Sequence, residues 1–423
     1  MNTIVLDQVL ITNKRVDYYF SVSEPLRKYF KGENHLFIEF EYDLSTIPES
    51  ILTIPFVANV IPLAWITNST IFVNELDESF YVSLTQIKKG YQAMYPEVPF
   101  KGDITIEEIV PNTYNPRVEA AQLFSGGLDA LATFTRIHNK HPLLITEYGW
   151  HKNEIEKSKV WDNDKQLVTD FARKNQLKNI FIHSNYGTFM NAQVIDRYFQ
   201  RRLGDSWWHG LHHGLAIITA AIPIAYLFRV ENIYIASSYF EGYKAKCASD
   251  PTIDNHVKYA SGGVVHDGYD IHRQQKVKAV LNFFENNPDQ AKLRVCFLNE
   301  QNCCACEKCM RTILGIVAEG KDPRDFGFNV PEDLSHHVRE FLRTDVKFFT
   351  PARVMQWNLA KERMVENKDK IACTNLLQWF IHYDFAKEKK RSLLTYRLTK
   401  FVPIIKRRLK KHITRLFTQK QLN

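Results

Sequence analysis

Several things are missing from this chain of 423 residues, and each absence narrows the reading. The start, Met1-Asn2-Thr3-Ile4, lacks the basic stretch and apolar run of a secretory leader. The longest apolar segment, Leu215 to Phe228, is short for a bilayer and carries Pro223, so it reads as a buried helix. Gly-x-x-x-x-Gly-Lys is absent, which excludes a Walker phosphate loop. Gly-x-Gly-x-x-Gly is absent, which argues against a dinucleotide fold. Neither a His-Glu-x-x-His protease motif nor a Gly-x-Ser-x-Gly nucleophile elbow occurs. There is no internal repeat and no low-complexity tract. Cysteines number seven, an odd count, and four crowd between Cys303 and Cys309, which fits metal or redox chemistry in a reducing cytosol better than a disulfide framework.

The net charge of +8 is unevenly distributed. The segment Lys387–Asn423 holds 13 Lys/Arg and one acid, Glu388, a local balance of +12 that leaves −4 for the rest. A mildly acidic body with a basic tail is not a globally nucleic-acid-binding protein. Within the tail, Leu398, Phe401, Ile405, Leu409, Ile413 and Leu416 recur at helical steps, with Lys406, Arg407, Arg408, Lys410, Lys411 and Arg415 on the other faces. Such a helix suits the interface of an anionic membrane, packing on the acidic body, or, less favourably, tRNA. The expected location is cytoplasmic, with peripheral attachment at the inner face of the membrane as an option. The oligomeric state is not encoded in any pattern found.

Residues 1–115 alternate in strand fashion, as in His35–Phe40 and Thr70–Val73, and are expected to form a β-rich module ending at the turn-rich Pro111–Pro116. From residue 116 to about 320 strands alternate with helices. Strands are expected at 118–124, 143–148, 179–183, 232–237 and 294–298. Helices are expected at 129–138, 161–175, 209–228 and 274–284. This rhythm predicts an α/β domain with a parallel sheet covered on both faces. Residues 321–423 are expected to be helical and increasingly basic.

Between the first of these strands and its helix lies Phe124-Ser125-Gly126-Gly127-Leu128-Asp129. A glycine turn there aims backbone N–H groups and a helix N-terminus at one point, which attracts phosphate. Ser125 adds a hydroxyl, and Asp129 a carboxylate suited to magnesium. Downstream, Asp250 and Asp254 could meet magnesium or a substrate amine, and Lys244 and Lys246 phosphate or carboxylate. Each also reads as part of a solvated loop. Asp267, His272 and Arg273 precede a helix and suit phosphate or a plain helix start. His209 and His213 share a helix face, where packing or substrate stacking competes with a ligand role. Cys296, Cys303, Cys306 and Cys309 give C-x6-C-x2-C-x2-C, spacing at which four thiolates converge on a structural zinc ion; Cys304 competes with Cys303 for a place in the set. A persulfide-carrying C-x2-C is the competing chemistry.

The glycine turn resembles the S-G-G-x-D-S loop of the PP-loop ATP pyrophosphatase superfamily, of adenine nucleotide alpha hydrolase-like fold. Ala130 stands where that family has its last serine. Together with the cysteine spacing, residues 118–320 are similar to 7-cyano-7-deazaguanine synthase. The resemblance implies ATP and magnesium at 124–129, one structural zinc on four cysteines, and cleavage of ATP to AMP and pyrophosphate. It implies adenylation of a carboxylate or carbonyl oxygen, followed by transfer of a nitrogen nucleophile. It covers neither the N-terminal segment nor the tail, and it does not name the substrate. Two alternatives stay open: a sulfur transferase acting on tRNA or a nucleoside with Cys306 or Cys309 as carrier, and a nucleotide-binding protein without turnover.

Overall fold

A computed structural model describes residues 2–32, 34–149, 154–290, 293–296, 298–397 and 399, with backbone alone for 154–159. The basic tail from Lys400 onward, and Leu398, lie outside the described residues. The chain divides into two compact units, 1–301 and 302–423.

The first unit is mixed α/β, built on one sheet of 11 strands. In chain order these are β1 Asn2–Thr12, β2 Arg15–Val22, β3 His35–Glu39, β4 Ser69–Asp77, β5 Asp103–Val110, β6 Val118–Leu123, β7 Leu143–Tyr148, β8 Asn179–Ser184, β9 Val230–Ala236, β10 Lys258–Tyr259 and β11 Gly262–Asp267. Their spatial order is β10-β11-β9-β6-β7-β8-β3-β2-β1-β4-β5. The run β11-β9-β6-β7-β8 is parallel throughout. Its inner strands are largely buried, as in β7, where all six residues are buried, Thr146 and Glu147 among them.

The strands of residues 1–115 continue this sheet instead of forming a second one. β3 pairs antiparallel with β8 over only Ile38↔Ser184 and Glu39↔His183. Side chains lengthen the seam: Phe37 N–H donates to Asn185 Oδ1 at 2.8 Å, and Ser184 Oγ donates to the Phe37 carbonyl at 2.6 Å. The same segment holds two long helices that strand-like alternation did not indicate, Ile54–Thr67 and Glu78–Met94. In the first, every residue except Thr67 is buried, so no amphipathic period marks it.

Most expected elements of the 116–320 region are present. One is not: residues 293–296 form no strand, and the strand beside β9 on its outer side is β11, with β10 at the edge. Arg294 explains the loop. Its guanidinium donates to the carbonyls of Glu300 and Asn299, at 3.0 and 2.8 Å, and pairs with Asp164, contacts that curl the backbone away from a ladder. The apolar segment 208–227 is one π-turn, Trp208–His212, followed by helices His213–Ala220 and Ile222–Leu227. Among the described residues it is the one helical run long and apolar enough to cross a membrane, and 78% of it is buried in the core.

The second unit, within its described residues, is helical: Glu307–Ala318, Leu334–Asp345, Pro351–Glu366 and Thr374–Phe380. Its centre is aromatic, with Trp357 fully buried and stacked on Phe341 at 5.6 Å and 5°.

Candidate nucleotide site and cysteine centre

The glycine turn sits at the C-terminal end of β6, in the interior of the parallel run. The carbonyl of Phe124 accepts from Thr146 Oγ1 at 2.7 Å, and its N–H donates to Ile145 at 2.8 Å, which ties the end of β6 to β7. Gly126 then takes φ +68°, the left-handed region where a side chain is strained. Gly127 caps the helix Leu128–Ile137 with no side chain bonded to the first turn. The first N–H groups of that helix therefore take no bond from a cap side chain, as an anion site requires. From behind, Gln122 Nε2 holds the Ala130 carbonyl at 2.6 Å, fixing the helix on the strand. Ala130 is itself buried, 5% exposed.

Asp129 faces two cations from the helix Arg273–Asn286. Arg273 Nη1 lies 3.6 Å and Lys276 Nζ 4.0 Å from its carboxylate. Both cations are buried, and Lys276 also donates to the carbonyl of Ser237 at the end of β9. Burial lowers the Lys276 pKa, and the Asp129 carboxylate opposes that fall. A buried lysine beside a glycine turn at the carboxyl ends of parallel strands is well placed for an anionic ligand. Lys276 was missed in the sequence. The signal was available, since Arg273 and Lys276 are three apart on a helix and share a face.

Beside the turn is a narrow pocket of about 30 Å³, lined by Phe124, Leu131, Val168 and Phe171, with Ser125, Asp164 and Arg294 at its polar side. That is about the volume of one water. At the neighbouring end of β7, Glu147 is buried, and burial holds its carboxyl well above the usual range; Tyr186 donates to it at 3.0 Å. Glu147, Arg294 and Asp164 carried no motif in the sequence.

The other expected site residues are placed differently. Lys244 is exposed. Asp250 caps the short helix Pro251–Asp254, accepting from the Thr252 N–H at 2.9 Å and hydroxyl at 2.6 Å. Asp254 is fully buried and accepts from Ser249 at 2.6 Å and His266 at 2.7 Å. These carboxylates are held by their own neighbours. Lys246 lies over the Tyr95 ring at 5.1 Å. Asp267 pairs with Arg136 at 3.0 Å, and His272 caps the helix that carries Arg273.

The cysteine pattern closes as its spacing implies. The sulfurs of Cys296, Cys303, Cys306 and Cys309 all lie within 4.8 Å of one another, a group that can hold a metal such as zinc. Main-chain N–H groups point at two of them: Leu298 to Cys296 at 3.4 Å and Cys306 to Cys303 at 3.3 Å. Such bonds favour the thiolate form. The structure also resolves the competition between Cys303 and Cys304. Cys304 takes φ +51°, turns its sulfur to the Asn302 carbonyl at 3.5 Å, and offers its own carbonyl to His337 at 2.7 Å. The Cys306 thiol and burial push Cys309 far up in pKa, since four adjacent thiols cannot all ionise without a cation among them.

Comparison with protein-family models, curated proteins and solved structures finds no match.

Proposed function

We propose that this protein is an ATP-dependent, AMP-forming enzyme that adenylates a carboxylate or carbonyl oxygen and passes the activated carbon to a nitrogen nucleophile. One observation carries the reading: a left-handed glycine turn at the end of an interior parallel strand, faced by two buried cations, Arg273 and Lys276. The backbone of Ser125 to Leu128 would receive the β and γ phosphates. Arg273 and Lys276 would stabilise the charge that grows on leaving pyrophosphate, an effect strongest in a water-poor site. Asp129 keeps both cations aimed at the turn. Magnesium on Asp129 would neutralise further phosphate charge. The base would lie against Phe124 and Phe171 only once the narrow pocket between them widens. Zinc on Cys296, Cys303, Cys306 and Cys309 would be structural, because four protein ligands leave no position for water.

Two observations bear on the alternatives. Gathering Cys306 and Cys309 into a group of four favours metal over sulfur carriage. A nucleotide-binding protein without turnover is favoured by Ala130, whose buried methyl group cannot donate to phosphate. The deciding experiment is release of AMP and pyrophosphate from ATP and magnesium, across a panel of heterocyclic and aliphatic carboxylic acids. Binding of ATP with no release under any acid would leave the nucleotide-binding reading in its place.

A further inference from the structure

A second group of reactive side chains lies at the same edge of the sheet, and the adenylation reading does not use it. It begins with the π-turn Trp208–His212. Single π-turns cluster at functional sites because they re-aim side chains and release a main-chain group. Here the carbonyl of His209 accepts from the N–H of Ala248, at 2.8 Å, on the loop after β9. Gly214 lets that loop come so close, and Gly210 admits the Tyr95 hydroxyl beside it. A Cβ on Gly214 would stand 2.3 Å from the Ala248 carbonyl, and one on Gly210 would stand 2.8 Å from the Tyr95 hydroxyl. The adjacent residue, Cys247, is thereby pressed against two imidazoles.

The hydrogen bonds order the imidazoles. His209 Nδ1 donates to Asp205 at 2.5 Å, while its Nε2 meets the Tyr239 hydroxyl at 3.2 Å. His213 Nδ1 donates to the Trp208 carbonyl at 2.9 Å, which leaves Nε2 facing Cys247 Sγ at 3.8 Å. The two rings stack at 5.7 Å and 18°. His212 turns the other way, donating to Asn59 at 2.9 Å. The remaining polar groups facing the thiol are the hydroxyls of Tyr91 and Tyr95; Tyr95 donates to the Gly210 carbonyl at 2.9 Å, with Lys246 over its ring. The thiol is 3% exposed, and the cluster opens to solvent at His209, whose side chain is 38% exposed.

From this arrangement we infer that Cys247 is a nucleophilic thiolate, with His213 as its proton acceptor and the Asp205–His209 pair as its positioning charge, in a site that takes an electrophilic acyl carbon. Electrostatics agree. Burial pushes the thiol up in pKa, but His209 and His213 outweigh it and hold Cys247 at about 6. The Asp205 carboxylate lifts His209 to about 10, so His209 is a cation at neutral pH. A metal explains the cluster less well: among the described residues, the cysteine group at 296–309 is the one whose donor atoms converge. The site is not remote from the glycine turn. Tyr239 is bonded to Ser237, whose carbonyl holds Lys276, the cation beside Asp129. Trp208 stacks on Tyr186, which bonds Glu147 at the end of β7. The inference does not depend on ATP turnover.

The test uses the full chain and two probes. With p-nitrophenyl acetate, the Cys247 sulfur forms a C–S bond to the acetyl carbon, the ester C–O bond breaks, nitrophenolate leaves, and the thiol proton resides on His213. The expected result is a nitrophenolate burst, with acetyl mapped by peptide mass spectrometry to Cys247. With iodoacetamide, the rate of alkylation at Cys247 should rise with pH through an inflection near 6, and an ordinary thiol inflects near about 8.5. His213→Ala and Asp205→Asn should each move the inflection upward and shrink the burst at least tenfold. A merely structural Asp205 would leave the inflection in place. An unlabelled Cys247 in the native chain, or a wild-type inflection in the ordinary thiol range, overturns the proposal whether or not the variants fold.

Discussion

In the N-terminal strands, buried charge is answered within the fold. Asp77 at the end of β4 is fully buried, yet one carboxylate oxygen accepts from the N–H groups of Phe80 and Ala260, and the other from Asn112, all at 3.0 Å. Asp17 on β2 is likewise enclosed by Arg15 and His35. At the C-terminal ends of β6, β7, β9 and β11 the pattern changes. Asp129 meets its cations at 3.6 and 4.0 Å, beyond hydrogen-bond range. One oxygen of Glu147 and one of Asp267 are buried with no hydrogen-bond partner among the described residues. Both regions belong to one sheet, and both contribute buried apolar side chains to the core. Charges fully bonded in place stabilise a fold. Charges held close but loosely bonded suit a site that receives something else.

The comparison can be broken most directly at the cysteine centre, where four thiols crowd together and the largest effect is expected. Protein purified without chelators should contain one zinc per chain by elemental analysis. Cys306→Ser or Cys309→Ser should lose the metal and the soluble fold together, because binding energy at a structural zinc site is folding energy, on the order of 10 kcal/mol. A stable, zinc-free wild-type protein would remove this centre from the set of unanswered groups.

Next in size is the glycine turn. Lys276→Ala should lower AMP and pyrophosphate release by about a hundredfold to a thousandfold, as loss of a preorganised charge does elsewhere. Asp129→Ala should abolish release, and both variants should melt near the wild-type temperature. Unchanged turnover in Asp129→Ala would end the assignment of this loop. Asp77→Ala is the mirror experiment. It should cost about 2–3 kcal/mol of stability by stranding a helix cap and two further donors, and leave turnover per folded molecule unchanged.

A smaller effect concerns pH. Burial holds His212 at about 3, against an ordinary value of 6.5, so the folded chain keeps it neutral. Its contribution is complete above pH 6.5 and is lost as the pH falls toward 3, because the unfolded chain takes up the proton first. At pH 5 the loss is about 2 kcal/mol. Denaturant melts from pH 7 to 5 should show a steeper fall for wild type than for His212→Gln, and parallel curves would contradict the neutral, buried assignment. The smallest expected effect lies in the tail beyond the described residues. Six Lys/Arg near an anionic surface contribute about 1 kcal/mol each. The full chain should co-sediment with anionic vesicles more than a chain ended at Glu388, and equal partition of the two would exclude a membrane anchor.

What the sequence determined by itself is what short range encodes. The strand–turn–helix at 118–137 follows from an apolar run, two glycines and a helical period, and it forms as read. Cysteines three residues apart can meet only near one another, so their convergence was legible too. Tertiary structure decided whatever depends on distant partners. Arg136 meets Asp267, and Asp129 meets Lys276, across more than a hundred residues, so no local period marks them. The attachment of β3 to β8 rests on two residue pairs and a few side-chain bonds, too little to leave a pattern. The choice of Cys303 over Cys304 came from a left-handed backbone turn, and the loop at 293–296 from one arginine binding carbonyls. The Cys247 cluster was invisible for the same reason. Its histidines could be seen to share a helix face, but the loop that brings the thiol to them is placed by Gly214 and a π-turn, which only the folded chain reveals.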